Sequence, residues 1–207
     1  MICKKPYWRG VLSYGCGQCT PCRKLKRREW VGRMLLEAAQ HADRSFVTLT
    51  YNEKTLPKDY CLKKRDLQLF FKRLRKIIYP RRFRYFAVGE YGEQKARPHY
   101  HIIFFGIGPG EISKVEEAWS SYDGESMGRV HVGNVEVKSI MYTAKYILKN
   151  SKRDSDFIKS KRTPEFQLMS RGSKKTGEGP LGYKYADEMA KAYGTNRGQL
   201  FLKKNGW

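Results

Sequence analysis

His99 and His101 are two of the four histidines in the chain, and they stand two apart at the head of an apolar run, Ile102 to Phe105. Alternate residues of a strand share a face, so both imidazoles of this H-x-H point the same way. The apolar run reads as a buried strand, and buried imidazoles need partners. Glu90 closes the apolar run that comes before, and a polar segment containing Gly92 joins the two runs. That pattern predicts a β-hairpin over Phe83 to Phe105. If Glu90 pairs opposite His99 or His101, its carboxylate joins the two rings. Two imidazoles and a carboxylate at one point make a divalent-metal site. Ordinary hydrogen-bonded strand histidines are the plain alternative. His131, alone on its own strand pattern, is read as an ordinary surface histidine.

A second group with chemical potential is a pair of tyrosines. Val137 to Lys149 predicts a helix with Val137, Ile140, Ala144, Ile147 and Leu148 on one face. Tyr142 and Tyr146, four apart, stack on nearly the opposite side beside Lys145 and Lys149. The pair is either ordinary amphipathic surface or two phenolic hydroxyls offered to a groove.

The third group is sulfur. Cys16, Cys19 and Cys22 fall within seven residues, and Cys3 lies upstream. Cys16-x-x-Cys19 is a knuckle spacing for tetrahedral zinc, and Cys22 and Cys3 would complete a four-thiolate set. The same spacing also suits an iron–sulfur ligand set or reduced thiols packed in a turn. With no secretory pattern at the start, metal or free thiols are favoured over a disulfide framework.

The elements that must position these groups follow in chain order. Pro21 to Ala42 reads as a helix whose first half carries Arg23, Lys24, Lys26, Arg27, Arg28 and Arg33, six cations in eleven residues. Such a run repels itself unless phosphates or counterions sit on it. Ser45 to Tyr51 alternates as a strand, and Lys63 to Tyr79 is an amphipathic helix whose Leu67, Phe70, Phe71, Leu74, Ile77 and Ile78 face a core. After the hairpin come a short helix over Glu111 to Tyr122, a strand over Arg129 to Val137 and the tyrosine helix. Ser151 to Thr163 is read as a connection, Phe166 to Arg171 as a strand, and Gly172 to Gly182 as a loop with Arg171, Lys174 and Lys175 placed to approach phosphate. A helix over Tyr183 to Tyr193 and a strand over Gln199 to Lys204 close the chain. Hairpin-linked strands interleaved with helices predict an α+β fold, an antiparallel central β-sheet flanked by helices.

Charge supplies the partner. Forty-two Lys and Arg against twenty Asp and Glu give +22, alongside fourteen Tyr and ten Phe. A single-sign field of that size with that many aromatics fits a nucleic-acid binder. Arg97, next to the H-x-H, and Lys149 join Arg23, Lys24, Lys26, Arg27, Arg28, Arg171, Lys174 and Lys175 as expected DNA contacts. No apolar stretch approaches a membrane span and no signal pattern opens the chain, so a soluble intracellular protein is expected.

Taken together, the Cys-rich Gly15 to Arg23, F-V-T-L-T-Y, G-E-Y-G with R-P-H-Y-H, Y-T-A-K-Y and F-Q-L-M-S-R resemble the HUH endonucleases, and within them the replication initiators of microviruses of the gokushovirus type. H-x-H alone is weak; the ordered set is specific. The loop Gly172 to Gly182 is longer than that pattern leads one to expect. The resemblance implies one HUH endonuclease domain over 1–207 with an RRM-like core, a Cys-rich arm at 1–24 and a looser segment at 151–207. It implies His99, His101 and Glu90, with Glu93 as the fallback for Glu90, as ligands of Mg²⁺ or Mn²⁺, and Tyr142 and Tyr146 as paired nucleophiles that form a 5′-phosphotyrosine. Lys145 would assist them, and Zn²⁺ would be structural at the cysteines. The implied partners are single-stranded DNA at a replication origin and, because no Walker-type loop is present, a separate helicase with the host machinery. The implied setting is the cytoplasm of an infected bacterium. Three rivals stand beside this reading: a non-haem Fe(II) oxygenase, which shares the two-His, one-carboxylate signature; a non-catalytic zinc-stapled nucleic-acid binder; and a relaxase or transposase of the same superfamily.

Overall fold

β5 (Pro98–Phe105) lies at the centre of a five-stranded sheet ordered β6-β3-β5-β4-β7, in which every neighbouring pair is antiparallel. The other strands are β3 (Arg44–Thr50), β4 (Arg84–Tyr91), β6 (Val130–Asn134) and β7 (Phe166–Met169). The computed structural model describes residues 3–93, 95–149 (backbone alone at 146–149), 162–172 and 178–184. Residues 185–207, and with them most of the expected final helix and strand, lie outside that range, as do Lys174 and Lys175.

β4 and β5 are apolar almost throughout rather than alternating, because both of their faces are covered. On one face Tyr85, Ala87, Tyr100, Ile102 and Phe104 pack with Leu67, Phe70, Phe71 and Leu74 of α2 (Lys64–Ile77) and Val115 and Ala118 of α3 (Ile112–Ala118). On the other, Phe86, Val88, Ile103 and Phe105 meet Trp30, Met34 and Ala38 of α1 (Thr20–Ala39) and Ile140 and Ala144 of α4 (Val137–Lys149). The α+β expectation holds: an antiparallel sheet sits between two helical layers.

Local chemistry sets the ends of these elements. Pro21 opens α1, where its missing N–H costs nothing. Asp66 in the first turn of α2, and Arg75 and Lys76 in its last, complement the helix dipole. A buried Tyr51–Tyr100 hydroxyl pair, 2.7 Å apart, ties β3 and β5 to that helix start: Lys63 N donates to Tyr100 Oη (3.0 Å) and Tyr51 O–H to Asp66 (2.8 Å). On the opposite face, buried Glu37 takes Arg84 at 3.1 Å, His41 at 3.2 Å and the Gly182 amide at 2.6 Å, clamping 178–184 against α1.

A two-stranded ribbon ahead of α1, β1 (Tyr7–Arg9) and β2 (Leu12–Tyr14), was not expected from the sequence. Its turn begins at Gly10 with φ +58, the Gly-X arrangement that suits a two-residue hairpin loop.

Candidate metal centres and nucleophile

β4 and β5 pair with Glu90 directly opposite His99 and with Val88 opposite His101. Glu90, His99 and His101 therefore share one face, the α1/α4 face, just past the point where the apolar packing ends. Glu90 Oε1 lies 2.7 Å from His99 Nε2 and 2.8 Å from His101 Nε2. One carboxylate oxygen thus meets both rings. Glu93 sits in the exposed turn beyond β4 and is not part of the cluster.

Second contacts orient each ring. His99 Nδ1 is 3.1 Å from the Arg97 carbonyl and His101 Nδ1 is 2.9 Å from Thr48 Oγ1, while Phe46 stacks on His101 at 5.4 Å. A carbonyl only accepts, so His99 must carry its proton on Nδ1 to make that bond. In the neutral ring, Nε2 then turns a lone pair toward Glu90 Oε1. Two acceptors at 2.7 Å need a cation between them, supplied either by protonation of the ring or by a metal ion. The charges agree. Burial pushes the Glu90 carboxyl up, but hydrogen bonds from His101 and His99 prevail and hold it down at about 2. His99 is raised against its own desolvation, by Glu90. Glu90 is 3% exposed, and its Oε2 is buried with no hydrogen-bond partner among the described residues, a spare ligand atom on the carboxylate that both rings meet. The donor set fits a divalent cation.

α4 brings Tyr142 to this point. Its hydroxyl donates to the same Glu90 Oε1 at 3.3 Å, and its ring meets His101 edge-on at 5.3 Å. Burial and the Glu90 charge push the phenol up to about 12, so as it stands it keeps its proton. Tyr146 lies one helical turn further along α4, and neither its side chain nor that of Lys149 is among those described. Lys145 is exposed on the same helix.

The four cysteines converge as well. Cys3, Cys16, Cys19 and Cys22 present sulfurs that all lie within 4.8 Å of one another, and none is in a disulfide. Cys3 and Cys19 sulfurs are 3.8 Å apart, matching the edge of about 3.8 Å in a tetrahedron with Zn–S near 2.3 Å. The Cys19 amide donates to Cys16 Sγ (3.3 Å) and the Cys16 amide to Cys3 Sγ (3.2 Å), support of the kind that thiolates need. A side chain at Gly15 would meet Cys22 Sγ at 2.8 Å, so the loop needs glycine there. The Lys4 and Cys22 amides hold the Cys19 thiol down to about 6. Against a lowering by the Gly17 amide, hydrogen bonding with Cys19 and desolvation push Cys22 up to about 12. Negative charge gathered at one sulfur resists a second without a cation.

The expected DNA contacts divide. Lys24, Lys26 and Arg28 are exposed on the first half of α1. Arg27 reaches across to the Met141 carbonyl (3.0 Å), which ties the basic stretch to the residue beside Tyr142. Arg97 is engaged by Glu53 and by the Tyr51 carbonyl (3.0 Å). Arg171 is exposed just past β7.

Two features around the Glu90 cluster were not expected from the sequence. Thr48 was only one residue of an alternating strand, although its spacing from the core residues Val47 and Leu49 does put it on the α1/α4 face. His131, expected to stand apart, pairs opposite Thr48, which pairs opposite His101. It is exposed on the same face as the cluster, two strands or about 10 Å away.

A family model of replication-associated proteins, the ORF2 family, matches residues 44–151, just over half of the chain. The chain belongs to this family. The matched segment runs from β3 through α4 and so holds the Glu90–His99–His101 cluster and both tyrosines. Among relatives of this ORF2-family member, replication-associated protein VP4 of Bdellovibrio phage phiMH2K is 31% identical over 161 residues, covering 70% of this chain and 51% of its own. Replication-associated protein ORF4 of Chlamydia phage 1 is 30% identical over 190 residues (82% and 45%), and replication-associated protein ORF2 of Spiroplasma virus 4 is 29% identical over 178 (77% and 55%). The chain spans about half the length of these curated relatives. No solved structure matches it. The expected resemblance to phage replication proteins is borne out, and among the described residues no helix is long and apolar enough to cross a membrane.

Proposed function

We propose that this chain initiates replication of a small single-stranded DNA phage by nicking single-stranded DNA at an origin, with a tyrosine of α4 as nucleophile. The observation that carries the reading is the hydrogen bond from the Tyr142 hydroxyl to the Glu90 oxygen that both histidines meet. A nucleophile beside a cation-binding cluster, in a chain of charge +22, calls for a polyanionic substrate.

Glu90, His99 and His101 would hold Mg²⁺ or Mn²⁺, which when bound supplies positive charge to the scissile phosphate and eases loss of the phenolic proton. Tyr142 Oη attacks phosphorus as its proton passes to solvent. The P–O3′ bond breaks, the 3′ oxygen leaves as a hydroxyl after taking up a proton, and the 5′ phosphate remains on tyrosine. Phenolate is a competent leaving group, so the same residues run the joining step in reverse. Tyr146, one turn away, would attack the regenerated origin while Tyr142 still holds the first 5′ end. Lys145 would offset phosphate charge. Thr48 and the Arg97 carbonyl keep both Nε2 atoms aimed at the cluster. The basic half of α1 and Arg171 would hold the strand, the four thiolates would hold structural Zn²⁺, and a separate helicase with the machinery of the infected bacterium would unwind and copy the template. An iron oxygenase reading accounts for neither the tyrosine at Glu90 nor the charge.

The test is incubation with origin-bearing single-stranded oligonucleotides and Mn²⁺, followed by denaturing electrophoresis. The expected result is a cation-dependent, denaturation-resistant adduct that disappears when Tyr142 and Tyr146 are both changed to Phe. No adduct across candidate origins, or one that survives the double change, overturns the proposal.

A further inference from the structure

The β1–β2 ribbon is built unlike the rest of the molecule. Both of its faces are exposed, and neither hydrophobic core includes any of its residues. Tyr7 pairs opposite Tyr14, and their rings stack at 5.4 Å and 18° on one face. Trp8 projects from the other face, opposite Ser13. Tyr7 is 55% exposed and Trp8 66%. A two-stranded hairpin with no covered face is marginal by itself, and here the sulfur cluster closes it, Cys3 just before β1 and Cys16 just after β2. A staple that holds aromatic rings in water is a costly arrangement unless something covers them.

The surrounding charge identifies what does. The first 28 residues carry Lys4, Lys5, Arg9, Arg23, Lys24, Lys26, Arg27 and Arg28, and no Asp or Glu. Lys4, Lys5 and Arg9 are exposed beside the rings, and the cations of α1 continue from the cluster to Arg27 at the Met141 carbonyl, next to Tyr142. An exposed Trp8, a stacked Tyr pair and a run of cations in a stretch of sequence without Asp or Glu match unpaired bases on a phosphodiester backbone. An apolar protein partner would not need the cations, and paired DNA would hide the base faces.

We infer that the ribbon is a stacking platform for single-stranded nucleic acid, with Trp8 on one face and Tyr7–Tyr14 on the other receiving unpaired bases, and that it guides the strand along α1 toward Tyr142. The inference rests on the single-stranded DNA reading above and adds to it a binding element outside the matched family segment.

The full-length chain is titrated with a fluorescein-labelled (dT)20 and with a 20-bp duplex, following anisotropy. Trp8→Ala is expected to weaken (dT)20 binding by roughly tenfold and duplex binding by less than about twofold, while Trp8→Phe stays within about threefold of wild type. Quenching of intrinsic fluorescence by (dT)20 is expected to shrink in Trp8→Phe although binding persists. Unchanged (dT)20 affinity in Trp8→Ala overturns the inference, as does an equal loss for single strand and duplex. So does a wild-type dimer, by light scattering, that Trp8→Ala splits. The wild-type adduct assay run in parallel separates the two proposals: an adduct with unchanged Trp8→Ala affinity sinks the platform alone, whereas no adduct sinks the nicking reading.

Discussion

Glu90, His99 and His101 come from strands that would pair without them, whereas Cys3, Cys16, Cys19 and Cys22 come from segments that little else holds together. In the first cluster the fold makes the site. Apolar residues of β4 and β5 fix a register in which Glu90 must face His99, and Thr48 and the Arg97 carbonyl fix the rings. In the second the site would make the fold: an exposed ribbon and the first turn of α1 would take their mutual arrangement from an ion held by four sulfurs. Ions at the two places should accordingly differ in kind: an exchangeable hard cation where chemistry needs open positions, and a closed tetrahedral ion where structure does.

The sharpest way to break this contrast is Glu90→Gln. It should cut adduct formation by about 10²–10³-fold while leaving one zinc per chain by elemental analysis. A parallel loss of zinc would mean that the clusters are not independent. Cys19→Ser should do the reverse, lowering zinc content to near zero and opening 3–24 to limited proteolysis, with the sheet's thermal midpoint kept, since neither core contains a ribbon residue. Collapse of that midpoint would make the cysteines part of the central fold. Thr48→Val keeps shape but removes the His101 Nδ1 contact. Apparent Mn²⁺ affinity in the adduct assay should fall about 10–100-fold with little effect on unfolding.

The smallest effect probes what holds the sheet's layers apart from either ion. Burial works to raise Glu37, but His41, the Gly182 amide and Arg84 together hold it below the usual carboxylate range. A depressed folded-state value stabilises above the unfolded pKa, about 4.3, and that contribution is lost as pH falls through the folded value. Thermal midpoints should therefore drop below about pH 4 in wild type. Glu37→Gln should cost about 1–3 kcal/mol at pH 7 and flatten that acid slope. An unchanged slope would place the acid-labile group elsewhere.

The two regions also differ in how far the sequence exposed them. H-x-H before Ile102–Phe105, and the apolar stripe of the tyrosine helix, are periodic patterns. They carried the hairpin, the α+β sheet and the convergence of Glu90, His99 and His101 in register. The ribbon leaves no such trace: with both faces wet, Tyr7 to Tyr14 has no alternation for burial to impose, and Gly10 alone hints at its turn. Thr48 and His131 were hidden for another reason. Their relation to His101 runs across three strands, and cross-strand register between distant segments is set by packing rather than by neighbouring residues.

The central claim is that a tyrosine of α4, poised on Glu90, becomes covalently joined to DNA. Trypsin cleavage after Lys138, Lys145 and Lys149 puts Tyr142 and Tyr146 on separate peptides. Mass mapping of the purified adduct is predicted to find the nucleotide on 139–145 or 146–149, and chiefly on 139–145 if the tyrosine seen against Glu90 cuts first. Nucleotide found on any other peptide, with both of these unmodified, would contradict the account.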